Sequence, residues 1–130
     1  MDYTKLLEMA EEAKEKAYVP YSNFKVGAAL LTKSQKVYTG CNVEVASYGA
    51  TNCAERTAIF KAVSEGEREF EAIAIASSNE DETFPCGICR QVIVEFGKDI
   101  KIILGNSKKG LVKVYDINEL LPHSFTKDDM

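Results

Sequence analysis

Several things are scarce in this sequence, and each scarcity narrows what the chain can do. No apolar run approaches the ~18 residues that a membrane-crossing helix needs. The acidic opening Met1-Asp2-Tyr3 does not resemble the basic and apolar head of a signal peptide, so the cytoplasm is the expected compartment. No dense Lys/Arg cluster is present, and 16 basic against 20 acidic side chains leave a net charge of −4. Long nucleic acid requires phosphate neutralisation, so a free small molecule is the expected partner. Histidine occurs once, at His123, outside any paired spacing, and reads as a bystander. There is no repeat, low-complexity tract or linker, which predicts one domain over residues 1–130. Such a chain can build a core without disulfides, so its four cysteines favour metal or free thiols over bridges.

What is present is concentrated in two short stretches. Thr51-Asn52-Cys53-Ala54-Glu55-Arg56-Thr57-Ala58 sets a thiol, a carboxylate and a guanidinium at the expected first turn of a helix. Further on, Pro85-Cys86-Gly87-Ile88-Cys89-Arg90 adds two thiols three positions apart, on one side of a second helix start. Three cysteines are the number of protein ligands that a catalytic zinc keeps while leaving its fourth position open. Glu55 lies outside that set, where a proton shuttle belongs. Each half alone has a plainer explanation. Asn52-x-x-Glu55 is also a capping box. Cys86-x-x-Cys89 is also a redox pair, half of a structural zinc site or two buried thiols. A structural site wants four ligands, and only Cys41 and His123 remain to complete one.

Periodicity and breakers predict the elements around these stretches. A helix capped by Asp2 or Thr4 runs to about Lys16, burying Leu6, Met9, Ala10, Ala13 and Ala17. Lys25–Leu31 and Lys36–Val43 read as a hairpin turning at Ser34-Gln35, with Gly27 marking a close approach by backbone or ligand. A helix from Cys53 to about Glu65, a strand over Phe70–Ala76 and a helix from Cys86 to about Phe96 follow. Strands at Lys101–Leu104 and Leu111–Tyr115 are joined by a link too short for a parallel crossover, so they are expected to be antiparallel. Asp116 caps a last helix to Leu121. The order is α-β-β-α-β-α-β-β-α, an α/β fold with a mixed sheet, and the second and third helices begin at strand carboxyl ends.

The pattern Cys53-Ala54-Glu55 then Pro85-Cys86-x-x-Cys89 resembles the zinc-dependent nucleobase deaminases in their all-cysteine form. The likeness extends to the small cytidine deaminases of pyrimidine salvage. It is carried by Tyr18-x-Pro20-Tyr21-Ser22-x-Phe24-x-Val26-Gly27, Gly40-Cys41-Asn42-Val43-Glu44, Asn52-Cys53-Ala54-Glu55-Arg56, Pro85-Cys86-Gly87-x-Cys89-Arg90-Gln91, and Leu120-Leu121-Pro122 before Phe125. This resemblance implies a three-layer α-β-α fold around a five-stranded mixed sheet and one zinc ion on Cys53, Cys86 and Cys89. It implies Asn42 and Glu44 on the ribose hydroxyls, although from sequence alone a solvated strand end is the favoured explanation of the pair. It also implies Phe24 against the pyrimidine and Ala54 among the substrate contacts. In a homotetramer, Ala46, Tyr48 and Phe125 would come from neighbouring subunits. Phe84 departs from the pattern, which expects a small residue before Pro-Cys.

The implied reaction is hydrolytic deamination of cytidine and deoxycytidine to uridine and deoxyuridine, with zinc activating water and Glu55 shuttling protons. Three thiolates on Zn²⁺ leave a net charge of −1, which weakens acidification of water. Arg56 and the helix N-termini are the expected remedy, with Arg90 a lesser candidate. The competing readings are a zinc deaminase of another aminated heterocycle, such as a nucleoside antibiotic or modified nucleoside, and a non-catalytic zinc-stabilised binding module.

Overall fold

The computed structural model describes residues 1–130 and places nine regular elements in the predicted order. They are α1 (Tyr3–Lys14), β1 (Val26–Thr32), β2 (Val37–Cys41), α2 (Ala54–Ser64), β3 (Phe70–Ser77), α3 (Gly87–Glu95), β4 (Lys101–Asn106), β5 (Leu111–Asp116) and α4 (Ile117–Leu120). The strands form one sheet in the order β2-β1-β3-β4-β5, with β3 and β4 parallel and every other pair antiparallel. The β1–β2 turn closes where Gln35 N donates to Thr32 O at 3.0 Å. Strands β4 and β5 pair antiparallel, as so short a link demands.

Alternation along the strands divides the interior into two cores. Ala29, Leu31, Ala72, Ala74, Ala76 and Ile103 face α1, whose Leu6, Leu7 and Ala10 are fully buried. Ala28, Leu30, Ile73, Ile75, Ile102 and Leu104 face the other way, onto Ala58, Ile59 and Ala62 of α2, Ile93 and Val94 of α3, and Ile117. The result is the expected three-layer α-β-α arrangement. The first helix differs in detail from its sequence reading. Asp2 is the cap, its carboxylate accepting from Thr4 N at 3.0 Å, and the buried stripe includes Leu7 while Met9, Ala13 and Ala17 are only partly covered. The reason lies at Gly27, where a Cβ would stand 2.1 Å from Ala10 O and 2.4 Å from Lys14 N. Backbone, and not ligand, makes the close approach there, and it presses the Leu7–Ala10 face onto β1.

Two features aim the chain at the sheet's end. Gly40 lets α2 settle on β2, since a Cβ would meet Ala58 N at 2.6 Å and Ala54 O at 2.7 Å. Beyond β2, Val43 exchanges two backbone hydrogen bonds of 3.0 Å with Asn52, fixing the residue just before Cys53. Both α2 and α3 thus start past the carboxyl ends of β2 and β3. No helix is long and apolar enough to cross a membrane.

Candidate active site

Cys53 and Cys86 are the N-cap residues of α2 and α3, each in extended backbone conformation. Cys89 lies one turn into α3 and is fully buried. The three sulfurs all fall within 4.8 Å of one another, and the Cys53–Cys86 pair is 3.9 Å apart. Sulfurs bound tetrahedrally at about 2.3 Å from one zinc would be separated by about 3.8 Å. The cluster is therefore positioned to bind one metal ion, and its soft, all-thiol donor set suits zinc. Cys86 remains exposed, which leaves the cluster accessible from that side.

The capping box that Asn52 and Glu55 offer does not form. Cys53 occupies the cap, and the Asn52 amide donates instead to Thr57 Oγ1 at 3.1 Å. Glu55 is consequently one position nearer the helix start than a box requires, and only 4% exposed. Burial pushes its carboxyl up to about 7, and the neighbouring Cys53 charge pushes the same way. Arg56 Nη2 donates to Cys53 Sγ at 3.1 Å, while its buried Nε has no partner. The Cys53 thiol is lowered to about 5, first by the hydrogen bond it receives from Cys89 and then by Arg56. The same bond, with burial, raises the Cys89 thiol, so the metal-free cluster holds back a proton that a metal would displace. Arg56 answers the excess thiolate charge directly.

Arg90 does not share that work. Its Nε and Nη1 donate to Pro85 O at 2.7 Å and Leu120 O at 2.6 Å, both backbone carbonyls. Phe84, the departure before Pro85, packs its ring on Tyr115 with centroids 5.4 Å apart, so its bulk is taken up against β5.

A second group of predicted residues gathers beside the Tyr18–Lys25 loop. Asn42 Oδ1 accepts from Val26 N and its Nδ2 donates to Phe24 O, both at 2.9 Å. Glu44 Oε1 accepts from the backbone of Tyr21 at 3.0 Å and Ser22 at 3.1 Å, and Ser22 Oγ donates to Oε2. These bonds, the Ser22 hydroxyl first, hold the Glu44 carboxyl below its ordinary range. Sequence reasoning assigned no role to Tyr21, Ser22 or Thr51, although they line an open cleft of about 350 Å³ with Glu44 and Tyr48. The edge-on contact of the Tyr21 and Tyr48 rings, at 5.8 Å, could be foreseen only from the aromatic content of both loops. Ala54 is fully buried. Ala46, Tyr48 and Phe125 are exposed in the single chain.

Residues 1–105 match the family described as the cytidine and deoxycytidylate deaminase zinc-binding region. A cytidine deaminase of Halalkalibacterium halodurans is 52% identical over all of this chain and 98% of its own length. One from Sporosarcina psychrophila is 48% identical over all of this chain and 96% of its own. The crystal structure of cytidine deaminase from Burkholderia pseudomallei superposes with a TM-score of 0.90 at 52% identity, covering 96% of this chain and 100% of that one.

Proposed function

The chain belongs to the cytidine and deoxycytidylate deaminase family, and we propose from that premise that it hydrolyses cytidine and deoxycytidine to uridine and deoxyuridine with release of ammonia. Cys53, Cys86 and Cys89 would hold the zinc ion. When bound, zinc supplies Lewis-acid activation of water. Glu55 accepts a proton from the attacking water as oxygen adds to C4 of the ring, and passes it to ring N3. It then takes the second proton and delivers it to the amino group, so that the C4–N bond breaks and ammonia leaves. A carboxyl pushed up to about 7 suits both directions of transfer near neutrality. Arg56 and the two helix N-termini offset thiolate charge throughout.

Asn42 and Glu44 bind the ribose hydroxyls. Glu44 accepts three hydrogen bonds of about four that a carboxylate can take, and Asn42 keeps one donor and one lone pair free. Phe24 packs on the base, and Ala54 lines the pocket floor. Ala46, Tyr48 and Phe125 come from neighbouring subunits of a homotetramer, which would cover exposed rings that a lone chain leaves in water. Residues 1–130 act as one domain, in the cytoplasm, within pyrimidine salvage.

The observation that carries this reading is Glu55, buried beside three convergent sulfurs yet outside the ligand set. Purified zinc-loaded protein should release ammonia from cytidine and deoxycytidine and leave adenine and guanine nucleosides intact. Turnover confined to another heterocycle, or none at all with zinc in place, would overturn it.

A further inference from the structure

Residues 125–128 lie against α3 and the turn that follows it as a strap. Thr126 is buried against the molecule, and its segment closes on itself through Thr126 N to Asp129 Oδ2 at 2.7 Å and Asp128 N to Thr126 Oγ1 at 3.3 Å. Hydrogen bonds reach the strap and its root from two adjacent residues of α3. Gln91 Nε2 donates to Phe125 O, and Arg90 Nη1 donates to Leu120 O at the end of α4. The same Arg90 guanidinium donates through Nε to Pro85 O, one residue before the ligand Cys86, while Arg90 N closes the helix turn onto Cys86 O at 2.9 Å. One planar, always-charged side chain therefore joins the backbone beside a metal ligand to the backbone that carries the strap.

We propose that Arg90 is a positioning residue that couples metal loading to the docking of the C-terminal strap. Metal binding fixes Cys86 and Cys89, which fixes Pro85 O and the first turn of α3. Arg90 transmits that order to Leu120, and Gln91 completes it at Phe125. Coupling of this kind is reciprocal, so a docked strap must also tighten metal binding. The inference rests on the three-cysteine site, but not on the substrate role of Phe125.

Amide hydrogen exchange on zinc-loaded and zinc-stripped wild-type protein is the primary test. Stripping should speed exchange in residues 86–92 and equally in 120–128, while β1 and β3 stay protected. A rise that stops within α3, or one spread through β1 and β3 as well, would overturn the coupling. Arg90→Ala should then hold zinc about 10-fold more weakly in competition with a chelator, the lower end for outer ligand supports. Gln91→Ala should loosen the strap and weaken zinc binding by less than Arg90→Ala does, because the Arg90–Leu120 bond survives. Arg90→Lys, which can serve one carbonyl, should also fall between wild type and Arg90→Ala. Wild-type zinc affinity in Arg90→Ala would sink the proposal even if the strap loosened. A strap loosened in Gln91→Ala with unchanged KM for cytidine would instead count against Phe125 as a substrate contact and leave the coupling standing.

Discussion

The sulfur cluster and the sugar-side loop are both built from predicted residues, yet they are held in opposite ways. Cys53, Glu55, Arg56 and Cys89 bond to or perturb one another, with Glu55 and Cys89 sealed beneath two helix starts. Everything that chemistry needs from the protein comes from one chain. On the sugar side, Asn42 and Glu44 spend their hydrogen bonds on the backbone of residues 21–26, and the rings of Phe24, Tyr48 and Phe125 are 39%, 72% and 62% exposed. Exposed rings contribute recognition only when something covers them. The residues assigned to the chemistry thus gather in one protomer, whereas those assigned to recognition would be completed only by neighbours in the proposed homotetramer.

The largest effects belong on the chemical side. Cys89→Ala should abolish metal binding and with it all turnover, because two thiols cannot make the three-ligand set. Cys41→Ser should keep both, and metal loss from that control would break the assignment. Elemental analysis beside an ammonia assay checks the pair. Glu55→Gln comes next. Acid–base catalysis is worth ~10²–10⁴-fold, and a shuttle used in successive steps belongs at the upper end. Zinc content should stay at one per chain. A zinc-loaded Gln variant keeping more than about a tenth of its kcat would end the shuttle reading.

The same substitution should stabilise the metal-free fold. The Glu55 carboxyl rises from 4.5 to about 7 on folding, mainly through burial. The native state thus holds its proton more tightly, and the stability this brings is fully present below about pH 4.5 and lost as pH rises through about 7. At about 1.4 kcal/mol per pH unit the loss approaches ~3 kcal/mol. Metal-free Glu55→Gln should therefore melt with wild type at pH 4 and above it at pH 8. Comparing the two proteins at each pH removes the opposite contribution of Cys53, whose lowered thiol favours the fold as pH rises. Identical melting at both pH values would show that Glu55 is not buried as a charge.

Legibility in the sequence follows the same division. Metal ligands were readable because their chemistry demands particular residue types at short spacings, and helix starts bring such spacings together. The order of elements along the chain followed from periodicity and breakers, and the antiparallel β4–β5 pair from its short connection, whereas the order of strands in the sheet was not read. Glu55 stayed ambiguous between cap and catalyst, since one residue of slippage at the helix start decides it, and local sequence does not fix the cap to that precision. Leu7 was missed because Gly27 rotates the face that α1 buries, a tertiary effect. Arg90 looked like a charge for the sulfurs, whereas one of its carbonyl partners, Leu120, lies 30 residues away, where no spacing rule reaches. On the sugar side, only the family resemblance gave Asn42 and Glu44 a purpose, because a polar strand end looks the same whether it meets ribose or water.

Smaller effects should mark the recognition half. Asn42→Ala removes two hydrogen bonds that pin Phe24 and Val26, each worth about 1 kcal/mol net. Loop order and sugar contact fail together, so KM for cytidine should rise roughly 10-fold or more, with kcat nearly unchanged. Steady-state kinetics with zinc content on the same sample separates the outcomes. A fall in kcat without a rise in KM would mean that the two halves are not independent.

The smallest predicted change is also the one that most sharpens the comparison. Phe125→Ala removes a ring that is 62% exposed in one chain, so its folding should be almost untouched. If a neighbour lends that ring to the base, KM should rise several-fold, since aromatic pairs add about 0.5–1.5 kcal/mol. The ring's origin can be read by mixing. A Glu55→Gln chain is inactive in its own site but still carries Phe125, and a Phe125→Ala chain still carries Glu55. In a hybrid assembly the good ring of the first can close over the good carboxylate of the second. Adding the inactive chain should therefore raise kcat/KM per Phe125→Ala chain at low substrate, after exchange of subunits is verified by mass spectrometry. Hybrids that form without any gain would place Phe125 over its own chain's site, and the recognition half would then be as self-contained as the chemical one.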